Sequence, residues 1–164
     1  MGHSITAIIL KGDFDKEKAL SFDLFPTLLD FGLTLFHIDH YYSAFWQHKL
    51  KKNGQLDISN IDCIVFPNEL VISEIVMNIS KSENPEYAII LTEYFGGLGN
   101  QYANVFIGPK NADRTISKIN QALIYLGVLA KNGQDEFDTI ELDKIKSQPK
   151  YLEKYVELTE NYGV

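Results

Sequence analysis

The side chains that could carry out acid–base or metal chemistry are concentrated in one short segment, where His37, Asp39 and His40 stand close together and His48 follows. In an extended segment, side chains three positions apart point to opposite faces, so His37 and His40 could not bind one metal ion together. A helix would bring them to one face, but the sequence LTLFHI is a weak helix former. No spacing places two of these groups, or one of them and Glu93, across a substrate. We therefore predict no metal site and no catalytic residue.

Three glycines within four residues, Gly96, Gly97 and Gly99, mark the stretch that looks most like a ligand-binding motif. A dinucleotide fingerprint needs glycines at its first, third and sixth positions, between a strand and a helix. Counted from Gly97, the sixth position is Tyr102, and the residues that follow form a β-type run. A P-loop would need Lys-Ser or Lys-Thr after the glycines, and neither is present. We therefore predict no nucleotide, no other cofactor, and a tight turn between two strands.

Two interpretations of this turn remain open. In the first, the glycines only permit the positive φ angles of a hairpin connection. In the second, the turn also presents neighbouring side chains to a partner, namely Tyr94, Asn100, Gln101 and Tyr102. The amides would supply adaptable hydrogen bonds and the tyrosines rigid contact area.

The segment HYYSAFWQH, residues 40–48, concentrates four large aromatic side chains. Apolar residues recur there mostly at a spacing of two, which favours a strand, with a helix as the alternative. Most aromatic residues are buried in a core. On a strand, however, Tyr41 and Phe45 would face outward when Tyr42 and Trp46 face inward. We therefore predict Tyr41 and Phe45 as further partner-binding residues.

Three segments, TEYFGGLGNQYANVF from residue 92, INQALIYLGV from residue 119 and DEFDTIEL from residue 135, follow one another in the chain. In this order and with similar spacing, they resemble a group of small bacterial proteins of uncharacterised function that carry Glu-Tyr-Phe-Gly-Gly-x-Gly-x-Gln. The resemblance covers roughly the C-terminal half of the chain. It implies an immunity or antitoxin-like protein that acts on a partner. The arginine-rich end that usually follows Asp-Glu-Phe-Asp in such proteins is absent here.

Apolar periodicity and turn residues divide the chain into short strands and helices. The pattern predicts strands over residues 4–12, 33–38, 42–50, 87–95 and 102–107, with Asn53-Gly54 as a hairpin turn. It predicts helices over residues 16–25, 68–80, 116–126 and 151–158. Because short turns rather than crossover helices join the middle strands, we expect a mainly antiparallel sheet. The predicted fold is α+β, with helices packed on the sheet in a single domain over residues 1–164.

Charge limits the classes of partner. The 164 residues include 15 basic and 22 acidic side chains, a formal net charge of −7, which repels nucleic acid phosphates and anionic lipid surfaces. Arg114 is the one arginine, so bidentate recognition of phosphate is unsupported. The acidic residues from Asp135 to Asp138 and Glu141 are either solvated or meet lysines of a partner. We therefore predict no nucleic acid, no membrane and a basic protein partner; the oligomeric state is left open.

The first residues carry no basic leader, and the apolar run of residues 5–10 stops at Lys11. Such a run is too short for a signal core or a membrane span, so we expect a cytoplasmic protein. His3 lies close to the first residue and is expected to be mobile.

These patterns predict a non-enzymatic cytoplasmic protein that binds another protein, with an immunity-type inhibitor of a toxin as the specific hypothesis. The alternative is a small-molecule enzyme or ligand-binding module. In that case a pocket near the glycine hairpin would involve His37, His40 and Glu93.

Overall fold

A computed structural model describes residues 2–163, and its centre is one seven-stranded sheet. The strands are β1 (Gly2–His3), β2 (Thr6–Lys11), β3 (Thr27–Leu28), β4 (Leu33–His37), β5 (Glu86–Phe95), β6 (Leu98–Ile107) and β7 (Lys110–Asn111). Their order is β3-β4-β2-β5-β6-β7, β1 pairs with the end of β5, and all these pairs are antiparallel. The predicted α+β fold with a mainly antiparallel sheet is confirmed.

Helices cover both faces of this sheet. They are α1 (Lys16–Ser21), α2 (His40–Lys49), α3 (Val71–Ile79), α4 (Ile119–Tyr125), α5 (Glu136–Thr139) and α6 (Lys154–Tyr162). Two short 3₁₀ helices, Leu142–Lys144 and Lys150–Glu153, lie in the last third of the chain. Within residues 2–163, none of the helices has the length and apolar composition that crossing a membrane requires.

The central strand β2 is buried on both faces, which explains its continuous apolar sequence. Ile8 and Leu10 belong to a core with buried residues of α1, α2, α3 and α6. Ala7 and Ile9 point to the other face and belong to a second core with residues of α4. The alternation of side chains along the strand thus divides the protein into two apolar layers, one on each side of the sheet.

Residues 42–50, predicted as a strand with a helix as the alternative, lie almost entirely in helix α2. The Asp39 carboxylate accepts a hydrogen bond from the Tyr42 backbone N–H at 2.7 Å and caps the first turn. Tyr42 and Phe45, three positions apart, are both buried on one face of the helix. The strand prediction is therefore wrong. The capping aspartate and the helical spacing of the buried residues outweigh the recurrence of apolar residues at every second position.

The hairpin predicted at Asn53-Gly54 is also wrong. The residues before this turn form helix α2, so no strand is present there to pair with the residues after it. Gly54 has a φ of +107°, and the next residue, Gln55, forms an isolated bridge with Glu69. The hairpin strand β6 begins at Leu98, four residues earlier than the apolar pattern indicates, because its first residues are polar or glycine.

A cluster of tyrosines holds α6 against α2 and the end of α1. The Tyr155 hydroxyl donates to the carboxylate of Asp23, which also receives the Lys154 ammonium at 2.7 Å. The Tyr42 hydroxyl donates to the Phe22 carbonyl at 2.6 Å, and the Tyr42 and Tyr155 rings meet edge to face at 5.1 Å. Burial and the Asp23 carboxylate raise the pKa of Tyr155, so its phenol keeps the proton that it donates.

We expect Tyr155→Phe to lower the free energy of unfolding by about 2 kcal/mol, since it removes a hydrogen bond to a charged group from a buried position. Urea denaturation measures this change. Tyr162→Phe is the matched control, because Tyr162 is 40% exposed and no hydrogen bond of its hydroxyl is seen within residues 2–163. An equal loss of stability in both variants would contradict the role given to the Tyr155 hydroxyl.

Candidate functional site

The glycines form the turn of a long hairpin between β5 and β6. Phe95 pairs with Leu98, so Gly96 and Gly97 are the two connecting residues, with φ of +60° and +80°. These angles are strained for residues with a side chain. At Gly99 a Cβ atom would lie 1.8 Å from the Glu93 carbonyl oxygen, so the close approach of two backbones requires glycine there. The chain continues downstream as a strand, not as a helix that could hold a phosphate.

The pairing of β5 with β6 sorts the predicted partner-binding residues onto two faces. Thr92 pairs with Gln101, and Glu93 pairs with Asn100. Because paired side chains share a face and neighbours alternate, Thr92, Tyr94 and Gln101 lie on one face. Glu93, Phe95, Leu98, Asn100 and Tyr102 lie on the other, which we call the tip face. The sequence analysis assigns Tyr94, Asn100, Gln101 and Tyr102 to one binding surface. The structure divides them between the two faces of the hairpin.

The first of these faces borders a cleft of about 370 Å³, which we call the hairpin cleft. Gln101 fixes one wall of it, because its Nε2 donates to the Tyr94 hydroxyl at 3.1 Å and its Oε1 accepts from the Ile119 N–H at 2.9 Å. The side chain thus joins the hairpin to the start of α4. Other side chains that line the cleft are His3, Asn120, Asp135, Phe137, Asp143 and Lys146.

His3, expected to be mobile, is held at the back of this cleft. Its Nδ1 lies 2.7 Å from the Thr92 hydroxyl, and its Nε2 lies 2.7 Å from the Leu142 carbonyl oxygen. Since the carbonyl can only accept, Nε2 carries the proton, and in the neutral ring Nδ1 accepts from Thr92. The ring also packs against Phe137, with centroids 5.2 Å apart. No sequence pattern indicates this site, because Leu142 and Phe137 lie far along the chain.

Two carboxylates of the cleft differ in their hydrogen bonding. Asp135 uses both oxygens, because Oδ1 accepts from the Asp138 N–H at 2.8 Å and Oδ2 accepts from the Asn120 amide at 3.1 Å. Asp143 has a buried oxygen, Oδ1, for which residues 2–163 provide no hydrogen-bond donor. A buried acceptor without a donor loses the hydration that it had in water. Asp143 therefore keeps one carboxylate oxygen that is closed off from solvent and has no donor in this range.

The tip face carries two large apolar side chains that the fold leaves in solvent. Phe95 is 70% exposed and Leu98 is 81% exposed, although they face each other across the turn. The Tyr102 phenol lies behind them, and its pKa is raised by partial burial, by Cys63 and by the carboxylates of Asp62 and Glu93. The tip face therefore combines an apolar end with a negatively charged flank.

The outer edge of β6 is open beside this surface. Within residues 2–163, strand β7 covers only Phe106 and Ile107, and the Ala103 N–H donates to the Ser117 carbonyl at 3.0 Å. No strand of that range pairs with the outer edge of residues 98–102. Backbone donors and acceptors of this stretch can therefore accept another extended chain.

The two aromatic residues of the 40–48 segment that were predicted to bind a partner lie in helix α2. Phe45 is buried, and its ring meets that of Tyr155 at 5.2 Å in the core. Helix α2 turns this side chain inward, away from the outward position that the strand prediction gave it. Tyr41 is half-buried and lies against the His40 ring, with centroids 4.0 Å apart.

The pocket predicted near the glycine hairpin has different residues from those expected. His37 is buried at the end of β4, His40 begins α2, and Glu93 lies on the tip face. None of the three lines the hairpin cleft. In the described part of the chain, no group of three or more His, Cys, Asp or Glu side chains could hold a metal ion.

His37 instead binds Gln148 and ties the last third of the chain to the sheet. Gln148 Nε2 donates to the Ile38 carbonyl at 2.6 Å, which turns its Oε1 toward Thr6 N–H and His37 Nδ1, the latter at 2.8 Å. Nδ1 therefore carries the proton. Burial lowers the pKa of His37 below its ordinary value of 6.5, and the Gln148 hydrogen bond only partly opposes this effect.

Comparison of the chain with protein-family models, with curated proteins and with solved structures finds no match. The geometry, burial and charge of the two hairpin faces are therefore the observations from which a function is argued.

We expect Gly99→Ala to destabilise the protein by about 2 kcal/mol or more, because the added Cβ meets the backbone of Glu93. Gly96→Ala is the matched control. It has a positive φ but no atom within 4 Å of the added Cβ, and should cost about 1 kcal/mol. Thermal and urea unfolding give both values. A Gly99 variant as stable as the Gly96 variant would show that the hairpin register differs from the one described.

Protonation of His37 should weaken the fold. Because its folded pKa lies below the unfolded value of 6.5, the unfolded chain binds the proton first as the pH falls. The free energy of unfolding should therefore decrease below pH 6.5, by at most about 1.4 kcal/mol per pH unit from this group. His37→Asn, whose amide can replace the Nδ1 donor, should reduce this decrease between about pH 7.5 and about pH 5.5. The measurement is urea denaturation of both proteins over this pH range. An equal change of the free energy of unfolding with pH in the two proteins would contradict the assignment of the decrease to His37.

Proposed function

We propose that this chain is a cytoplasmic, non-enzymatic protein that binds a basic protein partner through the tip face, as an immunity-type inhibitor of a toxin. The observation that carries the proposal is the exposed apolar pair Phe95 and Leu98 at the end of the hairpin. Large aromatic and apolar side chains that lose water in a complex supply most of its binding energy. Other large apolar side chains, such as Leu28 and Ile64, are also exposed, but Phe95 and Leu98 are paired across one turn and form a contiguous apolar surface, which supports a binding role.

Charge favours a basic partner over other classes. Glu93 is exposed on the tip face, and Asp62 is exposed near Tyr102. The whole chain carries a formal charge of −7, so attraction over a longer range adds to these local carboxylates. Complementary charge mainly accelerates association and selects the partner, while apolar contacts slow dissociation. Nucleic acid phosphates would be repelled by the same surface.

The open edge of β6 gives a partner a further means of attachment. An extended segment can add to an exposed strand through backbone hydrogen bonds, and side-chain contacts beside the strand then provide specificity. At residues 98–102 the polar side chain of Asn100 and the half-buried ring of Tyr102 flank this edge. The predicted roles of Asn100 and Tyr102 in partner binding are thus retained in the proposal, whereas Tyr94 and Gln101 belong to the cleft.

A non-enzymatic role is supported by the positions of the candidate acid–base groups. His37 is buried and bound to Gln148, whereas Glu93 is exposed on the tip face. Groups that transfer protons must lie within hydrogen-bond reach of one substrate. The arrangement favours binding over catalysis.

We expect a tagged form of the protein, exposed to an extract of its native cells, to retain a basic protein that mass spectrometry identifies. Replacing Phe95 and Leu98 together with serine should weaken that complex at least roughly 30-fold, which corresponds to about 2 kcal/mol from one hot-spot residue. Leu28→Ser is the matched control, because Leu28 is 76% exposed but lies in β3 at the opposite edge of the sheet.

Retention that survives the double substitution, or that Leu28→Ser removes equally, would contradict the tip face as the binding surface. The immunity role has a separate test, in which the retained partner is expressed in a host with and without this protein. Growth that is arrested by the partner and restored by co-expression is the expected result. A harmless partner would exclude toxin inhibition and leave the binding surface unaffected.

A further inference from the structure

We propose that Asn53 is a site of spontaneous covalent modification, at which the side-chain amide is lost and aspartate and isoaspartate are formed. The dipeptide Asn53-Gly54 predicts a hairpin turn, but the structure places it in an irregular segment after α2, where no hairpin forms. The inference does not rest on the proposed function, because these two residues belong neither to the tip face nor to the hairpin cleft.

The reaction is an attack of the Gly54 backbone nitrogen on the preceding side chain. This nitrogen gives its proton to a base in the solvent and forms a bond to Cγ of Asn53. The bond from Cγ to Nδ2 breaks as ammonia leaves with a proton, and the product is a cyclic imide, the succinimide. Water then opens the ring. Opening at Cγ gives aspartate, whereas opening at the backbone carbonyl carbon gives isoaspartate, in which the main chain runs through Cγ.

The local structure leaves the dipeptide open to this attack. Residues 51–55 are all exposed to solvent. Glycine carries no side chain that would hinder the approach of Cγ to its nitrogen. Within residues 2–163 no acceptor is seen for the Gly54 N–H, and no hydrogen bond of the Asn53 side chain is seen either. No hydrogen bond of the described structure therefore opposes the rotations of Asn53 that bring Cγ to the nitrogen.

A second dipeptide of the same sequence, Asn132-Gly133, is held in a closed turn. The Gln134 N–H donates to the Lys131 carbonyl at 3.0 Å, and Gly133 has a φ of +79°. These are the features of a type II turn, in which the residue before the glycine has a ψ of about +120°. At that angle the Gly133 nitrogen is turned away from the Asn132 Cβ, whereas ring closure requires the two to be eclipsed. The turn must therefore open before Asn132 reacts.

Modification at Asn53 would disturb a contact between two helices. The Gly54 carbonyl oxygen accepts from Gln47 Nε2 at 2.9 Å and from the Leu70 N–H at 3.2 Å. Gln47 lies in α2, and its Oε1 accepts at 2.8 Å from the N–H of Val71, the first residue of α3. Isoaspartate adds a carbon atom to the main chain just before Gly54 and displaces its carbonyl. The link between the end of α2 and the beginning of α3 should then weaken.

The test is incubation of the intact protein at mildly alkaline pH, followed by digestion and mass spectrometry with fragmentation that separates isoaspartate from aspartate. We expect Asn53 to lose its amide about fivefold faster than Asn132, the factor expected when one hydrogen bond must open first. Isoaspartate should accumulate at position 53. Asn53→Gln should keep its amide, because the longer side chain would have to close a larger ring. Asn132→Gln is the matched control and should leave the rate at Asn53 unchanged.

Urea denaturation after the same incubation measures the structural effect. The unaltered protein should lose stability in step with the isoaspartate content, whereas Asn53→Gln should not. Asn53→Asp, before incubation, should be as stable as the unaltered protein, because it has the charge of the product and an ordinary main chain at an exposed position. Loss of the amide at Asn53 no faster than at Asn132, or a product without isoaspartate, would overturn the modification site. An equal loss of stability in Asn53→Gln would overturn the effect on the two helices.

Discussion

The register of the β5–β6 hairpin is the constraint on which both candidate sites depend. Because side chains alternate along a strand, a slip of one residue would move every hairpin side chain to the opposite face. The two-residue connection at Gly96 and Gly97 and the backbone contact at Gly99 allow one register, in which Phe95 faces Leu98. Ten paired positions then carry this register from the turn into the core, where Ile90 pairs with Ala103.

The hairpin is supported at its end by the first described residues, which also contact the segment of residues 142–146. Strand β1 pairs with Tyr94 and Phe95, and the Ser4 N–H donates to the Lys146 carbonyl at 2.8 Å. His3 adds the contact to Leu142. Segments from the beginning, the middle and the last third of the sequence therefore meet at the cleft. The hairpin is a local element, but the complete cleft requires contacts between segments that are distant in the sequence.

The sequence predicts elements where one local pattern dominates. Buried strands such as β2 and the helix α3 follow directly from their apolar spacing, and the glycines mark the turn of the hairpin. For residues 42–50 the sequence favours a strand over the helical alternative because Tyr42, Ala44 and Trp46 suggest a spacing of two, but the cap at Asp39 and the helix it begins prevail. The position of His3 could not be predicted, since its contacts join segments that are distant in the sequence. Alternation also explains why Asn100, Gln101 and Tyr102, which are adjacent in the sequence, belong to two surfaces.

The two faces of the hairpin differ in how much order a ligand must impose. In the cleft, hydrogen bonds already fix His3 and Gln101, so a small ligand would meet a largely preorganised surface. On the tip face, Phe95 and Leu98 extend into solvent beyond the paired core and their side chains can adapt to a large partner. A rigid concave surface suits a small ligand, which has few contacts and gains little from a surface that must first become ordered. An adaptable apolar surface beside an open strand suits a protein, because many weak contacts can then form together.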